Sequence, residues 1–440
     1  MIGYTDSSPD DLDIYGWSAG ALSVENTASL DGAVTGIALP TSNYIHYDLF
    51  AITSDSLYVI NSMTGDVVQS IPENNPVSVV ASPDGRKVYV VNSSGGGESG
   101  SDPSVSVIET ANIGTANDPT VATYAIPQSA GAPFDYSLSS IPTPAQAAIS
   151  PSGDTLLITD STNSDVLSLD VGEADSSLGD VVAIASLNGD GYEFPQSISL
   201  TPDGGTAYVV DQGSSSDGIT VLHFNGNRGY DDPTFQAATT LTDDAGDTLQ
   251  EPLAVETSYN GQSAYVLDGN SSEPLLFQFP IALTGSLETE LQPAIPAGTS
   301  PVSLSLSPED SYAYIADSAT DTTSALEMST GSVAFATSGS YIPGMTTTTP
   351  DGLSFVSTEY EPSASGGCGS SSPGFGGLSI FSTADGTDIA DVDLGASEAP
   401  TMVVASPVSS TVWYPSTEST SGGESEVNLA RTSPRWHEPV

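Results

Sequence analysis

The sequence predicts an all-β protein, a β-propeller of four-stranded blades, and three observations carry that prediction. A strand–turn–strand unit recurs along the chain, its turn residues repeat in register with the strands, and each copy is followed by one or two further β-rich runs. Copies start at Val34, Pro76, Pro144, Pro195, Pro252, Pro301, Gly344 and Pro400. Their spacing of roughly 45 to 65 residues suits four short strands per repeat.

The most regular copy runs from Pro76 to Asn92, PVSVVASPDGRKVYVVN. VSVVA is rich in β-branched residues and reads as a strand. In SPDG, Ser82 opens a type I turn and Pro83 brings the φ that the second position needs. Asp84 tolerates the third position, and Gly85 accepts the positive φ that closes a bulged hairpin. KVYVV is almost continuously apolar, as expected of a strand covered on both faces. The same order returns in PAQAAISPSGDTLLITD, PQSISLTPDGGTAYVVD, PLAVETSYNGQSAYVLD and PVSLSLSPEDSYAYIAD. It drifts further in GMTTTTPDGLSFVSTE and PTMVVASPVSSTVWYPS, and a divergent copy, VTGIALPTSNYIHYDLFAIT, begins at Val34.

The tetrapeptide YVVN, Tyr89 to Asn92, and its counterparts resemble the YVTN family of β-propeller repeats over most of the chain, from about Val34 to Ser416. That resemblance implies kinship with bacterial and archaeal cell-surface proteins and with neighbouring lactonase-like propellers. ITVLHFNGNRG from Ile219 and PLLFQFPIALTGSLE from Pro274 have the lactonase-like cast. It transfers no catalytic residue, because no catalytic motif of those enzymes is matched here.

At the N-terminus, IYGWSAGALSVENTASL from Ile14 supplies two β-like runs with no unit of its own, while the Pro400 unit supplies only two clear strands. The expectation is that residues 1–33 complete the blade begun at Pro400. Such closure makes residues 34–416 a ring without free sheet edges, with 417–440 as a flexible tail. Eight blades is the favoured count, and seven follows if the Val34 unit itself closes the Pro400 blade.

The net charge of −51 comes from 56 acidic residues set against 5 basic ones. Acids alone are about half of the ~25% charged content of ordinary proteins, so the unusual feature is depletion of Lys and Arg. Carboxylates protonate below about pH 4; a chain with so few bases then carries little positive self-repulsion, and acid tolerance is expected. Nucleic acid and anionic membrane surfaces, which require clustered Lys and Arg, are unsuited as partners. The sequence holds no apolar run of transmembrane length. Its first residues, MIGYTDSSPDDLDIYGW, lack the basic end and apolar core of a secretory signal. Richness in Ser, Thr, Gly and Asn with almost no Lys favours an extracellular or cell-surface chain read without its signal, ahead of a cytoplasmic one. The single cysteine, Cys368 in SGGCGSSSPG, has no internal disulfide partner and no metal-ligand spacing around it.

The most regular polar feature lies seven residues after the last turn position: Asn92, Asp160, Asp211, Asp268, Asp317 and Glu359. Each ends the second strand of its unit, so in a propeller they ring one mouth of the disc. Side chains of this kind cap a turning backbone. Alternatively they form an acidic binding rim that attracts cations, Ca²⁺ being the ion that takes several oxygen ligands; no other cofactor is expected. NGDGYE, Asn188 to Glu193, looks superficially like a calcium loop but lacks its alternating ligands and closing acid, and DDAGD from Asp243 is weaker still. His46, His223 and His437 read as packed or solvated rather than catalytic. Asn92 and Asn270 open N-S-S sequons, a pattern that belongs at a surface. The chain shows no Walker or dinucleotide loop.

The functional expectation is a secreted or cell-surface propeller for binding or structural assembly, without catalysis, whose partner is a protein or a cell-envelope glycan. The alternative is a lactonase-like hydrolase using the acid-lined mouth. The central channel discriminates between them. Apolar walls favour binding, whereas a converging acid, base and polar orienter favour catalysis.

Overall fold

In a computed structural model of the chain, seven antiparallel four-stranded sheets follow one another between Gly36 and Ala396. The structure describes residues 11–431 outside a set of loop segments, the longest being 40–47, 97–101, 131–135, 173–178, 188–193, 289–293, 406–410 and 419–424; side chains are described between residues 30 and 391. Among the described residues there is no α-helix, only a 3-10 turn at Thr110–Asn112.

Within each of these sheets strand order follows chain order, so the repeat start is always one edge. The seven starts form the strands Gly36–Ala38, Pro76–Ala81, Pro144–Ile149, Phe194–Leu200, Pro252–Thr257, Pro301–Leu306 and Ile342–Thr348. These innermost strands lie beside one another, as Pro76–Ala81 does between Gly36–Ala38 and Pro144–Ile149. The result is a β-propeller.

The turns form as their residues dictate. Gly85, Gly153, Gly204, Gly261 and Gly352 all take positive φ between 67° and 77° at the last turn position, and Asp310 takes that position at 54°. The opening Ser or Thr does two jobs. Its carbonyl accepts the N–H of that last residue, and its hydroxyl accepts the N–H five residues on. The second bond recurs from Lys87 to Ser82, Thr155 to Ser150, Thr206 to Thr201, Ser263 to Ser258, Tyr312 to Ser307 and Ser354 to Thr349, always at 3.0 or 3.1 Å.

The continuous apolar run after each turn is a strand wedged between two sheets. Along Lys87–Gly96, Val88 and Val90 pack with Phe50, Ile52 and Val59 of the preceding sheet, while Tyr89 and Val91 pack with Leu156, Ile158 and Leu167 of the next. Ala207 and Val209 against Leu157 and Val166, with Tyr208 and Val210 against Phe277 and Phe279, repeat the arrangement. Full burial of each Val or Leu contributes about 1.5–3 kcal/mol, so a polar residue on either face of such a strand loosens an inter-sheet core.

The eighth expected unit differs from the other seven. Pro400 belongs to a six-stranded sheet built from both ends of the chain, Asp11–Ser18 and Ala21–Ser29 with Glu398–Pro400, Val404–Ala405, Thr411–Glu418 and Ser425–Arg431. Ile14 stands parallel to Leu429. This sheet neighbours the last four-stranded sheet through Glu398–Pro400 and the first through Thr411–Glu418. The regular four-stranded blades number seven; the Val34 unit makes one of them and does not close the Pro400 unit, which is completed irregularly by both chain ends and stands between the last regular blade and the first. Ser425–Arg431, which the sequence reading places in the tail, is one of its strands.

Candidate functional site

Two sequence features, the leading proline and the polar column, are partners in the structure. Pro76 stands opposite Asn92, Pro144 opposite Asp160, Pro195 opposite Asp211, Pro252 opposite Asp268, Pro301 opposite Asp317 and Pro343 opposite Glu359. The pairing moves the start of the Gly344 unit back to Pro343. A register shift follows each pair, a β-bulge at the entry to every one of these innermost strands. All six column residues are 0–3% exposed.

Their buried carboxylates hold the backbone. Asp160 accepts the N–H groups of Thr143 (2.9 Å) and Thr162 (3.0 Å), and the Asn163 side-chain amide (2.6 Å). Asp268 accepts those of Gln250 (3.0 Å) and Glu251 (2.9 Å). Asp317 accepts the N–H of Thr299, those of Ser300 (3.2 Å), Ala319 (2.9 Å) and Thr320 (3.2 Å). Each thus ties the segment leading into its proline, and Asp160 and Asp317 also tie the segment leaving their own strand. Proline has no N–H to satisfy, which suits it to the first strand position. Asp211 accepts the Thr220 hydroxyl.

Asn92 breaks the column's chemistry, and the carboxylate is supplied from elsewhere. Its side-chain amide donates to Glu73 Oε2 (2.8 Å) and Ser106 Oγ (3.1 Å), and Ser106 donates to the same Glu73 oxygen (2.7 Å). Glu73 is 8% exposed; its burial pushes the carboxyl pKa up, against the two hydrogen bonds that pull it down. Among the described residues, its Oε1 and the Asn92 Oδ1 are buried without a hydrogen-bond partner. With Asn92 fully buried, this sequon is not at the surface.

The other candidates separate. Asp243 caps its own loop through Gly246 and Asp247 N–H groups (both 2.8 Å) and ties in Ala294 (2.8 Å). His223 is half-buried on Gly218–Phe224. Cys368, His46, His437, Asn270 and the stretch 188–193 lie outside the described residues. Among the described residues no group of three or more His, Cys, Asp or Glu side chains is arranged to hold a metal ion.

The channel walls are the innermost strands, and hydroxyls stitch them across sheet boundaries. Ser199 and Thr257 share a hydrogen bond (3.2 Å), Thr346 N–H donates to Ser303 Oγ (2.9 Å), and Thr348 Oγ1 donates to Leu306 O (2.8 Å). In these seven strands Glu256 is the one ionisable side chain. It is half-buried, and desolvation by the surrounding protein pushes its pKa up to about 7. Nothing in PLAVET marks this glutamate from sequence alone. Glu73 was more accessible: it stands three residues before Pro76, in the one unit whose column residue is an amide.

No protein-family model and no curated protein matches the chain. Among solved structures it is similar to the dihydro-heme d1 dehydrogenase NirN in complex with DHE, with 13% identity and a TM-score of 0.56 over 90% of this chain and 73% of that one. It is also similar to hydrazine synthase of Kuenenia stuttgartiensis, with 15% identity and a TM-score of 0.48 over 74% of this chain and 92% of that one. At such identity the likeness to NirN speaks for the propeller fold alone.

Proposed function

We propose that this chain is a secreted or cell-surface β-propeller, of the YVTN-repeat kind, that binds a protein or cell-envelope glycan and catalyses no reaction. The observation that carries this reading is the composition of the first strands of the seven regular sheets. Seven innermost strands bring Glu256 as their single ionisable group, whereas general acid–base chemistry needs an acid, a base and an orienting group together. The column carboxylates, which an acid-lined active mouth would use, are buried and engaged by backbone N–H groups at Asp160, Asp268 and Asp317. Depletion of Lys and Arg supports an extracellular setting. Fractionation of cells expressing the chain from its native gene tests the location: the chain is expected in the medium or envelope fraction, and a purely cytosolic chain contradicts the proposal.

One observation favours the hydrolase reading. A carboxyl group whose pKa is near 7 is suited to general-base work at neutral pH, and Glu256 is such a group. Turnover of lactones by the purified chain, compared with its Glu256→Gln variant, decides between the two.

A further inference from the structure

The segment from Pro72 to Pro76 joins the last strand of the first regular sheet, Val67–Pro72, to the first strand of the second, Pro76–Ala81. Its outer side is tied to the residues that follow Asn92. Ser93 N–H donates to the Asn75 carbonyl (2.9 Å), and the Asn75 side-chain amide donates to Ser94 Oγ (3.0 Å). Its inner side is held by Glu73. The Glu73 N–H donates to the Asp55 carbonyl of the first sheet (2.7 Å), while Glu73 Oε2 receives Asn92 and Ser106 of the second.

That inner joint is incomplete as a carboxylate and an amide. The Asn92 Nδ2 donates to Glu73 Oε2 at 2.8 Å, so one atom of each planar group is paired. The other atom of each, Glu73 Oε1 and Asn92 Oδ1, is buried without a hydrogen-bond partner among the described residues. Buried polar atoms of this kind call for an explanation. Both are acceptors, and two acceptors cannot satisfy one another without a hydrogen between them. A protonated carboxyl supplies one, because it is a donor as well as an acceptor. An O–H from Glu73 Oε1 to Asn92 Oδ1 would be the second bond of an acid–amide pair whose first bond is already in place.

The column carboxylates differ in this respect. Asp268 receives a backbone N–H on each of its two oxygens, whereas Glu73 has both of its donors on one oxygen and none on the other. Ionisable residues on the elements around Glu73 are Asp55 in the turn that accepts its N–H, Asp66 before Val67–Pro72, and Asp102 opposite Gly96. Asp84, Arg86, Lys87 and Glu109 stand at the other end of the second sheet, and Glu98 lies outside the described residues. Burial acts most strongly on the Glu73 carboxyl and raises its pKa, its two hydrogen bonds lower it, and none of these charges contributes.

We propose that Glu73 is held as the neutral acid with its Oε1 proton given to Asn92 Oδ1, making the joint between the first and second regular sheets a latch that is closed in acid and loosens when the proton leaves. Loss of the proton leaves two buried acceptors side by side, one of them charged. The latch contributes fully below the ordinary glutamate value of 4.5 and is lost as pH rises through the higher value of the folded chain. It does not depend on what the propeller binds.

Two measurements on the full chain test it. The first is a ¹³C NMR titration of glutamate carboxyl carbons from about pH 3 to 8, with Glu73 assigned by its absence in Glu73→Gln. Its midpoint is expected above 4.5. A midpoint at or below 4.5 would mean an ionised carboxylate with a bridging water serving both oxygens, and would overturn the proposal. The second is amide hydrogen exchange of Glu73 and Ser93, compared with Glu73→Gln at each pH. Gln offers a permanent N–H in place of the acid's O–H, so it mimics the closed state. Protection in the wild type is expected to match the variant in acid and to fall about fivefold or more below it at pH 8. Equal protection at pH 8, or a variant less protected than the wild type there, would overturn the latch. Should Glu73→Gln fail to fold, Asn92→Asp serves instead: two carboxyls sharing one proton are expected to raise the midpoint further, and an unmoved midpoint would separate Glu73 from Asn92 and overturn the pairing.

Discussion

Pro252 and Asp268 face one another across the first two strands of their sheet, and the Asp268 carboxylate accepts the N–H groups of Gln250 and Glu251 that lead into Pro252. The same opposition of proline and column residue occurs in six of the seven regular sheets. At Asp160, Asp268 and Asp317 the carboxylate fixes where one sheet ends and the next begins.

Removing that carboxylate should therefore cost stability. Asp268→Ala leaves two part-buried N–H groups without their acceptor, an expected loss of about 2–4 kcal/mol. Asp268→Asn retains one acceptor oxygen and is expected to lose roughly half as much. Urea unfolding of the two variants measures both, and a loss below about 0.5 kcal/mol for Asp268→Ala would show that the carboxylate is not holding the connection.

The same geometry bears on calcium. Oxygens that already accept backbone N–H groups have few lone pairs left, and a hard cation needs six to eight oxygen ligands. Titration with Ca²⁺ at neutral pH is expected to give neither heat above dilution nor a thermal shift. A saturable shift that Asp317→Asn removes would restore the acidic rim as a cation site.

Stability should fall as pH rises toward neutrality. Glu256, ordinarily titrating at 4.5, is pushed up to about 7 in the folded chain, so the folded state holds its proton more tightly than the unfolded chain does. Its contribution is fully present below about pH 4.5 and is lost as pH rises through about 7. Buried Glu73 and Asp165, both raised by desolvation, act in the same direction. Asp203, lowered by its Thr201 hydrogen bond, acts oppositely, but it is exposed and solvent weakens its effect. Self-repulsion among 56 acids also grows with pH, so the difference between wild type and Glu256→Gln isolates this one group. The variant is expected to be more stable by about 1–3 kcal/mol at pH 8 and equal near pH 4. Unfolding midpoints from pH 2 to 8 measure this; equal midpoints at pH 8 contradict it, and a steep loss below pH 4 contradicts acid tolerance.

What was legible in the sequence is what depends on neighbours along the chain. Ser82, Pro83 and Gly85 announce a turn because their own backbone preferences make it, and Val88 to Val91 announce a strand covered on both faces. The column at Asp160, Asp268 and Asp317 is visible as spacing, and the local capping by Asp160 and Asp317 of residues two and three positions on is legible with it, whereas the bonds to the segment before each proline reach back 17 or 18 residues and are not. Glu73 gives no local signal, because its partners Asn92 and Ser106 lie 19 and 33 residues away. Glu256 carries no local signature; only the juxtaposition of the seven regular sheets' first strands makes it the one ionisable group among them. The irregular sheet from Pro400 was hidden for a related reason: its strand content depends on pairing between the two ends of the chain, Ile14 with Leu429.

The central claim is that this propeller binds without catalysing. Incubating the purified chain with a panel of lactones across pH 5 to 8, beside Glu256→Gln, tests it most directly. The account predicts hydrolysis no faster than in buffer for either protein. Turnover by the wild type that Glu256→Gln abolishes would contradict it and make the channel an active site.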